Sequence, residues 1–174
     1  VLMSAAAEAG APAHVIQVMT RGGTGHLEAV MRHPSLALIL ATGTSAIVDL
    51  AQRSGTPTYG VGPGNVPVYV HHTADLPHAA SSIIHSKTFD NGTVCASEQA
   101  LVAEHDVAAR LQPLMEERGA YFCSPAETQR LGPVCFDLDN GRMRPEAVGQ
   151  PAAVLAARAG FDVPPGTRLL VAAW

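Results

Sequence analysis

One stretch of the sequence, residues 35–62, alternates apolar runs and capping residues in the order expected of a strand, a helix and a second strand. The run "SLALILA" at 35–41 has strand length and no charged residue, which is typical of a parallel strand covered on both faces. "TGTSAIVDLAQRSG" at 42–55 begins with capping residues and ends at a glycine, and "TPTYGVG" at 56–62 predicts the next strand. This rhythm predicts a βαβ unit, and therefore a parallel sheet.

The rest of the chain keeps an α/β pattern, with a change of character near residue 67. Before the βαβ unit the patterns predict helices at 1–9 and 27–33 and an apolar strand at 15–19. After it they predict strands at 66–72, 99–104 and 167–173, helices at 75–89, 105–119, 124–132 and 151–161, and a polar connection at 136–150. A complete dinucleotide-binding fold needs about six parallel strands. Because fewer precede residue 70, we expect an internal piece of a longer protein.

Composition excludes several classes of function. The formal net charge is −4 with only 11 Lys and Arg, so no basic footprint indicates a nucleic-acid partner. The longest apolar runs are far too short to cross a membrane. Three cysteines without C-x-x-C spacing, and histidines without H-E-x-x-H spacing, predict neither a disulfide framework nor a metal site. A reducing cytoplasm fits this cysteine usage best.

Cys95 has the context of a nucleophile. It lies in "SKTFDNGTVCASEQ", where an Asn-Gly turn precedes the sulfur and can aim backbone N–H groups at a bound oxygen. If a helical turn follows, its positive end would also lower the thiol pKa. The alternative is a small buried residue, the usual place of a lone cysteine. Cys123 and Cys135 have aromatic or apolar neighbours, and we interpret both as packing residues.

Two further stretches are candidate ligand sites. In "ILATGTSAIV", an apolar strand leads through Thr42, Gly43 and Thr44 into a helix, whose free N–H groups suit a phosphate. A simple helix cap explains the same residues equally well. In "YGVGPGNVP", the glycines around Gly62 allow a flat ring to approach the main chain, or merely form a tight turn.

Together these stretches resemble the aldehyde dehydrogenase superfamily, specifically its CoA-acylating branch. "SKTFDNGTVCASEQA" is similar to the family's cysteine motif almost residue for residue, and "LILATGTSAIV", "GVGPGNVPVYV" and "AVGQPAAVLAARAGFDVPPGTRLLV" are similar to other family segments. The resemblance implies an α/β fold: residues 1–66 as the carboxy-terminal part of a Rossmann-like NAD(P)-binding domain, and residues 67–174 as a catalytic domain incomplete at its own end. It implies Cys95 as nucleophile, Thr42, Gly43, Thr44 and Gly62 as contacts of NAD or NADP, and a homo-oligomer at full length.

Two departures from family patterns bear on chemistry. Hydrolytic members carry a water-activating glutamate at the position that Val61 occupies here, when the sequences are aligned on Pro67. Without that base, a thioester on Cys95 has to wait for a thiol, which makes coenzyme A the expected acceptor and an aldehyde or acyl-CoA the expected substrate. Thr44 replaces a glycine usual in the acylating branch, and the choice between NAD and NADP stays open.

Two alternatives remain at this stage. A truncated dehydrogenase could act as a non-catalytic scaffold or binding module that keeps its cysteine motif as a relic. Alternatively, a hydrolytic enzyme would release a free acid, which Val61 disfavours. The sequence does not identify the aldehyde.

Overall fold

The computed structural model describes residues 1–62 and 64–172 of the chain. These residues form two units, an amino-terminal unit (Val1–Pro63) and a carboxy-terminal unit (Gly64–Trp174). The sequence predicts an NAD(P)-binding part at 1–66 and a catalytic part at 67–174. These two functional assignments stay predictions. Within the described ranges no helix is both long enough and apolar enough to cross a membrane.

The amino-terminal unit is built around one βαβ element. Its helices and strands are α1 (Leu2–Glu8), α2 (Thr24–Met31), β1 (Ile39–Thr42), α3 (Ser45–Gln52) and β2 (Thr58–Val61). Strands β1 and β2 pair in parallel, with Ile39 opposite Thr58 and Thr42 opposite Val61. Helix α3 connects them and buries Val48 and Ala51 against Ile39 and Ala41. The predicted βαβ unit is therefore present.

Two expectations for this unit are wrong. Residues 15–19 form no strand and are exposed, because no neighbouring segment of the described part offers them a ladder of backbone partners. The described residues also cover strand β1 on one face and not on both: Ile39 is 8% exposed, whereas Leu40 is 75% exposed. An apolar run alone does not say how many faces of a strand are covered.

The first half of the carboxy-terminal unit repeats the same design. Strands β3 (Pro67–Val70) and β4 (Ala100–Ala103) pair in parallel, and helices α4 (Leu76–Thr88) and α5 (His105–Glu116) pack against each other beside them. Helix α4 begins as the sequence predicts, since the Asp75 carboxylate accepts a hydrogen bond from the His78 N–H. The core here is aliphatic and contains Val70, Leu76, Ala80, Ile83, Ile84, Val107, Leu111, Met115 and Ala120.

The second half contains elements that the sequence patterns missed. It consists of β5 (Ala120–Cys123), α6 (Pro125–Cys135), β6 (Phe136–Asp137), β7 (Arg142–Met143), α7 (Ala152–Arg158) and β8 (Leu169–Ala172). Strands β5 and β8 pair in parallel, although β5 was not predicted. The expected polar connection contains the β6–β7 hairpin. Helix α6 begins with a reciprocal capping box between Ser124 and Glu127.

The packing interpretation of two cysteines agrees with their surroundings. Cys123 is buried in a cluster with Leu131, Ala156 and Phe161, and Cys135 packs against that cluster. Burial raises the pKa of both thiols, because the apolar surroundings penalise the thiolate. Both sulfurs are therefore neutral near pH 7 and poor nucleophiles.

A substitution at Gly60 tests how tightly the core of the amino-terminal unit is packed. A Cβ at this position would lie 2.5 Å from Val48 Cγ1, which is itself part of the core. We expect Gly60→Ala to destabilise the unit by about 1–3 kcal/mol, the usual cost of overpacking. The measurement is the shift in thermal unfolding of the full-length protein.

Gly62→Ala is the matched control for that substitution. A Cβ at Gly62 meets no described atom within 4 Å. The two glycines lie in the same short segment, so an equal loss of stability in both variants would contradict the packing explanation.

Candidate active site

The candidate cofactor residues meet at the carboxyl edge of the β1–β2 pair. Strand β1 ends at Thr42 and strand β2 at Val61, and the Gly43 N–H donates a hydrogen bond to the Val61 carbonyl at 3.3 Å. Gly43 adopts a φ of 157° and Gly62 follows directly after β2. In parallel sheets this edge is where ligands bind. The structure therefore brings Thr42, Gly43 and Gly62 together.

Thr44 occupies the N-cap of α3, but its side chain makes no capping hydrogen bond. Its carbonyl accepts the Ile47 and Val48 N–H groups, as the first carbonyl of a helix should. Thr42, Gly43 and Thr44 are all exposed. An exposed helix start with a free hydroxyl and the positive end of the helix dipole suits an anionic group such as a pyrophosphate.

Cys95 belongs to the carboxy-terminal unit and lies beyond a sharply bent turn. Helix α4 ends at Thr88, and Asp90 (φ 47°), Asn91 (φ 50°) and Gly92 (φ 75°) follow in the left-handed region. Asp and Asn tolerate this region better than other residues with a side chain, and glycine adopts it freely. The "FDNG" sequence thus reverses the chain and presents Cys95 as an exposed, free thiol.

Side-chain hydrogen bonds hold this bend in place. The Thr93 hydroxyl lies 2.6 Å from Asp90 Oδ2, and Asn91 Nδ2 donates to the Gly149 carbonyl at 3.0 Å. Non-glycine left-handed residues cost of order 1 kcal/mol or more each, and they persist only where neighbours hold them. The bend before Cys95 is therefore a fixed feature rather than a loose loop.

The residues after Cys95 form a turn and not a helix. The Ser97 N–H and the Ser97 hydroxyl both donate to the Val94 carbonyl, at 3.0 and 2.8 Å, and Ser97 is only 2% exposed. The conditional expectation of a helix dipole acting on the thiol is thus not met. Among the described residues, the Cys95 and Ala96 N–H groups have no protein acceptor, so they are free to bind an oxygen of a substrate.

Lys87 connects the two sides of the cysteine loop, and sequence reasoning missed it. It is the only lysine in the sequence. Its ammonium donates to Gln99 Oε1 at 3.0 Å and to Ser97 Oγ at 3.5 Å, beyond the cysteine. Before the cysteine, a Cβ placed on Gly92 would lie 3.3 Å from Lys87 Nζ. No spacing rule in the sequence signals this contact, because it depends on the left-handed bend.

Glu98 is the charge partner of this lysine. Its Oε2 is buried and has no hydrogen-bond partner in the described part of the chain. Burial lowers the pKa of Lys87, and the nearby Glu98 carboxylate opposes that shift. Strand β4, and not a helix, follows Glu98 in the chain.

Sequence comparison identifies the family to which this arrangement belongs. Residues 1–135 match the sequence model described as the aldehyde dehydrogenase family. The chain belongs to the aldehyde dehydrogenase family. The predicted family is therefore confirmed.

Relatives of known activity lie in the acylating branch of that family. The bifunctional aldehyde-alcohol dehydrogenase of Escherichia coli K12 is 40% identical over 171 residues, which cover 98% of this chain and 19% of that protein. The acetylating acetaldehyde dehydrogenase of Salmonella typhimurium is 34% identical, over 97% of this chain and 37% of that protein. The chain thus spans only about a fifth to just over a third of the length of these relatives.

Solved structures give the same result for the fold. An acetylating aldehyde dehydrogenase from Geobacillus thermoglucosidasius matches with a TM-score of 0.89 and 40% identity, covering 98% of this chain and 37% of the other. A Rhodopseudomonas palustris propionaldehyde dehydrogenase with bound propionyl-CoA matches at 0.85 and 28%, over 98% and 38%. An engineered glycolyl-CoA reductase with bound NADP+ matches at 0.85 and 28%, over 98% and 39%. The predicted fold class, a Rossmann-like parallel α/β part followed by a second α/β part, is confirmed.

Lys87 offers a test of how the cysteine loop is held. We expect Lys87→Met to release Ser97 and Gln99, remove the positive charge near Glu98, and destabilise the unit by about 1–3 kcal/mol. The backbone amides of residues 93–99 should then exchange hydrogen faster in the full-length protein.

Arg110→Met is the control, because it removes a positive charge from the exposed face of α5. Faster exchange in residues 93–99 of that variant, or unchanged exchange in Lys87→Met, would contradict the assigned role of Lys87.

Proposed function

We propose that the full-length protein catalyses the CoA-acylating oxidation of an aldehyde. An aldehyde, coenzyme A and NAD(P)+ give an acyl-CoA, NAD(P)H and a proton, and the reaction is reversible. The observation that carries this proposal is the exposed Cys95 thiol beyond a fixed left-handed bend. Of the three cysteines, it alone combines exposure with free neighbouring N–H groups.

Cys95 is the proposed nucleophile. Its thiol loses a proton to solvent, and the thiolate attacks the aldehyde carbon to form a thiohemiacetal. The negative charge that develops on the aldehyde oxygen needs donors, and the Cys95 and Ala96 N–H groups are available for it. Loss of hydride from the thiohemiacetal carbon leaves an acyl thioester on Cys95.

The amino-terminal unit is proposed to hold the cofactor. The residues at its strand edge fit a dinucleotide: the α3 start and the exposed Thr44 hydroxyl suit the pyrophosphate, and Gly62 leaves open space above the main chain. The nicotinamide supplies the hydride acceptor when bound. Solved relatives with bound NADP+ and propionyl-CoA support both NAD(P) and coenzyme A as ligands.

Val61 supports coenzyme A, rather than water, as the acyl acceptor. Its side chain is 61% exposed at the carboxyl end of β2 and carries no group that can remove a proton from water. We do not propose Glu98 as a substitute base, because its Oε2 is buried and its carboxylate lies near Lys87. The thiol of coenzyme A is itself a good nucleophile, so it needs less activation than water does.

The cellular location, partners and oligomeric state of the enzyme are proposed from its composition and its family. Free cysteines and the negative net charge support a cytoplasmic protein without a nucleic-acid partner. A homo-oligomer at full length rests on the family resemblance alone. The identity of the aldehyde and the preference between NAD and NADP stay open.

The nucleophile is tested by substitution in the full-length enzyme. We expect Cys95→Ser to abolish aldehyde-dependent NADH formation, because a serine hydroxyl stays protonated near neutral pH and is a far weaker nucleophile than a thiolate. Cys123→Ala and Cys135→Ala should keep kcat, since both thiols serve packing. A Cys95→Ser enzyme with wild-type turnover would exclude the proposed mechanism.

The acyl acceptor is tested by leaving out coenzyme A. Unassisted water lacks general-base catalysis, a factor of about 10²–10⁴ in rate. Without any thiol, the enzyme should release a burst of about one NADH per active site and then stall. Adding coenzyme A should restore turnover, with acyl-CoA as the product detected by mass spectrometry.

The hydrolytic alternative predicts a different time course. Sustained NADH production with free acid as the only product, in the absence of thiols, would contradict the acylating function. Val61→Glu places a carboxylate at this strand end, and slow hydrolysis in that variant alone would support the role of position 61.

A further inference from the structure

We propose that His71, His72 and Glu104 form a binding site for a divalent transition-metal ion of the zinc class. Each residue offers one ligand atom, and these atoms lie within 4.8 Å of one another. His72 Nδ1 and Glu104 Oε1 are already 3.5 Å apart. Bond lengths of about 2.0–2.2 Å to a tetrahedral ion require ligand atoms about 3.3 Å apart.

The fold brings these residues together at the end of a parallel strand pair. Val70 and Ala103 are register partners and the last residues of β3 and β4, so His71 and Glu104 leave the sheet side by side. The Ala74 N–H then donates to the His71 carbonyl at 2.9 Å, closing a turn that folds His72 back. The two imidazole centroids are consequently 3.9 Å apart, although adjacent residues of a strand would face opposite ways.

A second set of contacts orients the three side chains. The Tyr69 hydroxyl donates to Glu104 Oε1 at 3.0 Å, and His71 Nδ1 lies 2.9 Å from Thr73 Oγ1. Metal ligands in proteins commonly have such outer hydrogen-bond partners.

The donor set identifies the class of ion. Two imidazoles and one carboxylate suit Zn²⁺ with a fourth position left to water, and they do not suit the all-oxygen sites of Ca²⁺ or Mg²⁺. The expectation of no metal site rested on local spacing, which cannot relate His72 to Glu104 across two strands. The site is also separate from the proposed chemistry, because Cys95 precedes β4 whereas Glu104 follows it.

The test is titration of the metal-free, full-length Cys95→Ser protein with ZnCl₂, followed by calorimetry. The Cys95→Ser background removes the exposed cysteine sulfur, which could also bind zinc. We expect one site per chain that disappears in the His71→Ala/His72→Ala variant and weakens at least about tenfold in Glu104→Gln. Tyr69→Phe should weaken binding by about tenfold through the outer contact. With Co²⁺ as a spectroscopic probe, the parent protein should show the visible bands of a tetrahedral complex. The His71→Ala/His72→Ala variant should lose these bands.

A matched variant separates this site from ordinary surface histidines. His78 and His85 are exposed on α4 and lie outside the cluster. The His78→Ala/His85→Ala variant should retain the calorimetric site and the cobalt spectrum. Absence of binding in the parent protein, or equal binding in the two double-histidine variants, would overturn the proposal.

Discussion

Parallel strand pairing is the constraint on which two proposed sites depend, the cofactor edge of the amino-terminal unit and the metal site of the carboxy-terminal unit. Two parallel strands joined by a helix end at the same edge of a sheet, so residues distant in sequence become neighbours there. In the amino-terminal unit this rule places Gly43 beside Val61. In the carboxy-terminal unit it places Glu104 beside His71. Both proposed ligand sites therefore lie at strand ends, where backbone groups and side chains are not used in strand pairing.

The cysteine loop depends on a different interaction, a locally unfavourable backbone held by its surroundings. Asp90 and Asn91 adopt left-handed conformations that few residues with a side chain accept. Hydrogen bonds to Thr93 and Gly149 hold the bend. On the other side of Cys95, the Lys87 ammonium donates a hydrogen bond to Gln99. The exposed Cys95 thiol is thus held on a fixed loop, as its proposed role as a nucleophile requires.

Local signals made much of this structure predictable. The apolar run before Thr42, the Asp75 cap and the Asn-Gly turn before Cys95 each act within a few residues, and each indicated the element observed. The patterns failed where a distant partner decides the outcome. Residues 15–19 are apolar but have no partner strand, whereas β5 is short and depends on β8. The contacts of Lys87 and the meeting of His72 with Glu104 likewise follow from the completed fold.

The pairing of β5 with β8 also sets an order of events during synthesis. Ala120 pairs with Leu169, so the edge of β5 stays open until the chain has been extended through α7. Strands β3 and β4, with α4 and α5, are complete by Glu116 and can pack earlier. Non-local pairing is slow, because loop closure costs entropy before any contact stabilises it. The growing chain therefore has an unpaired β5 edge after its cysteine loop has been synthesised, and that edge is where misassembly between growing chains would begin.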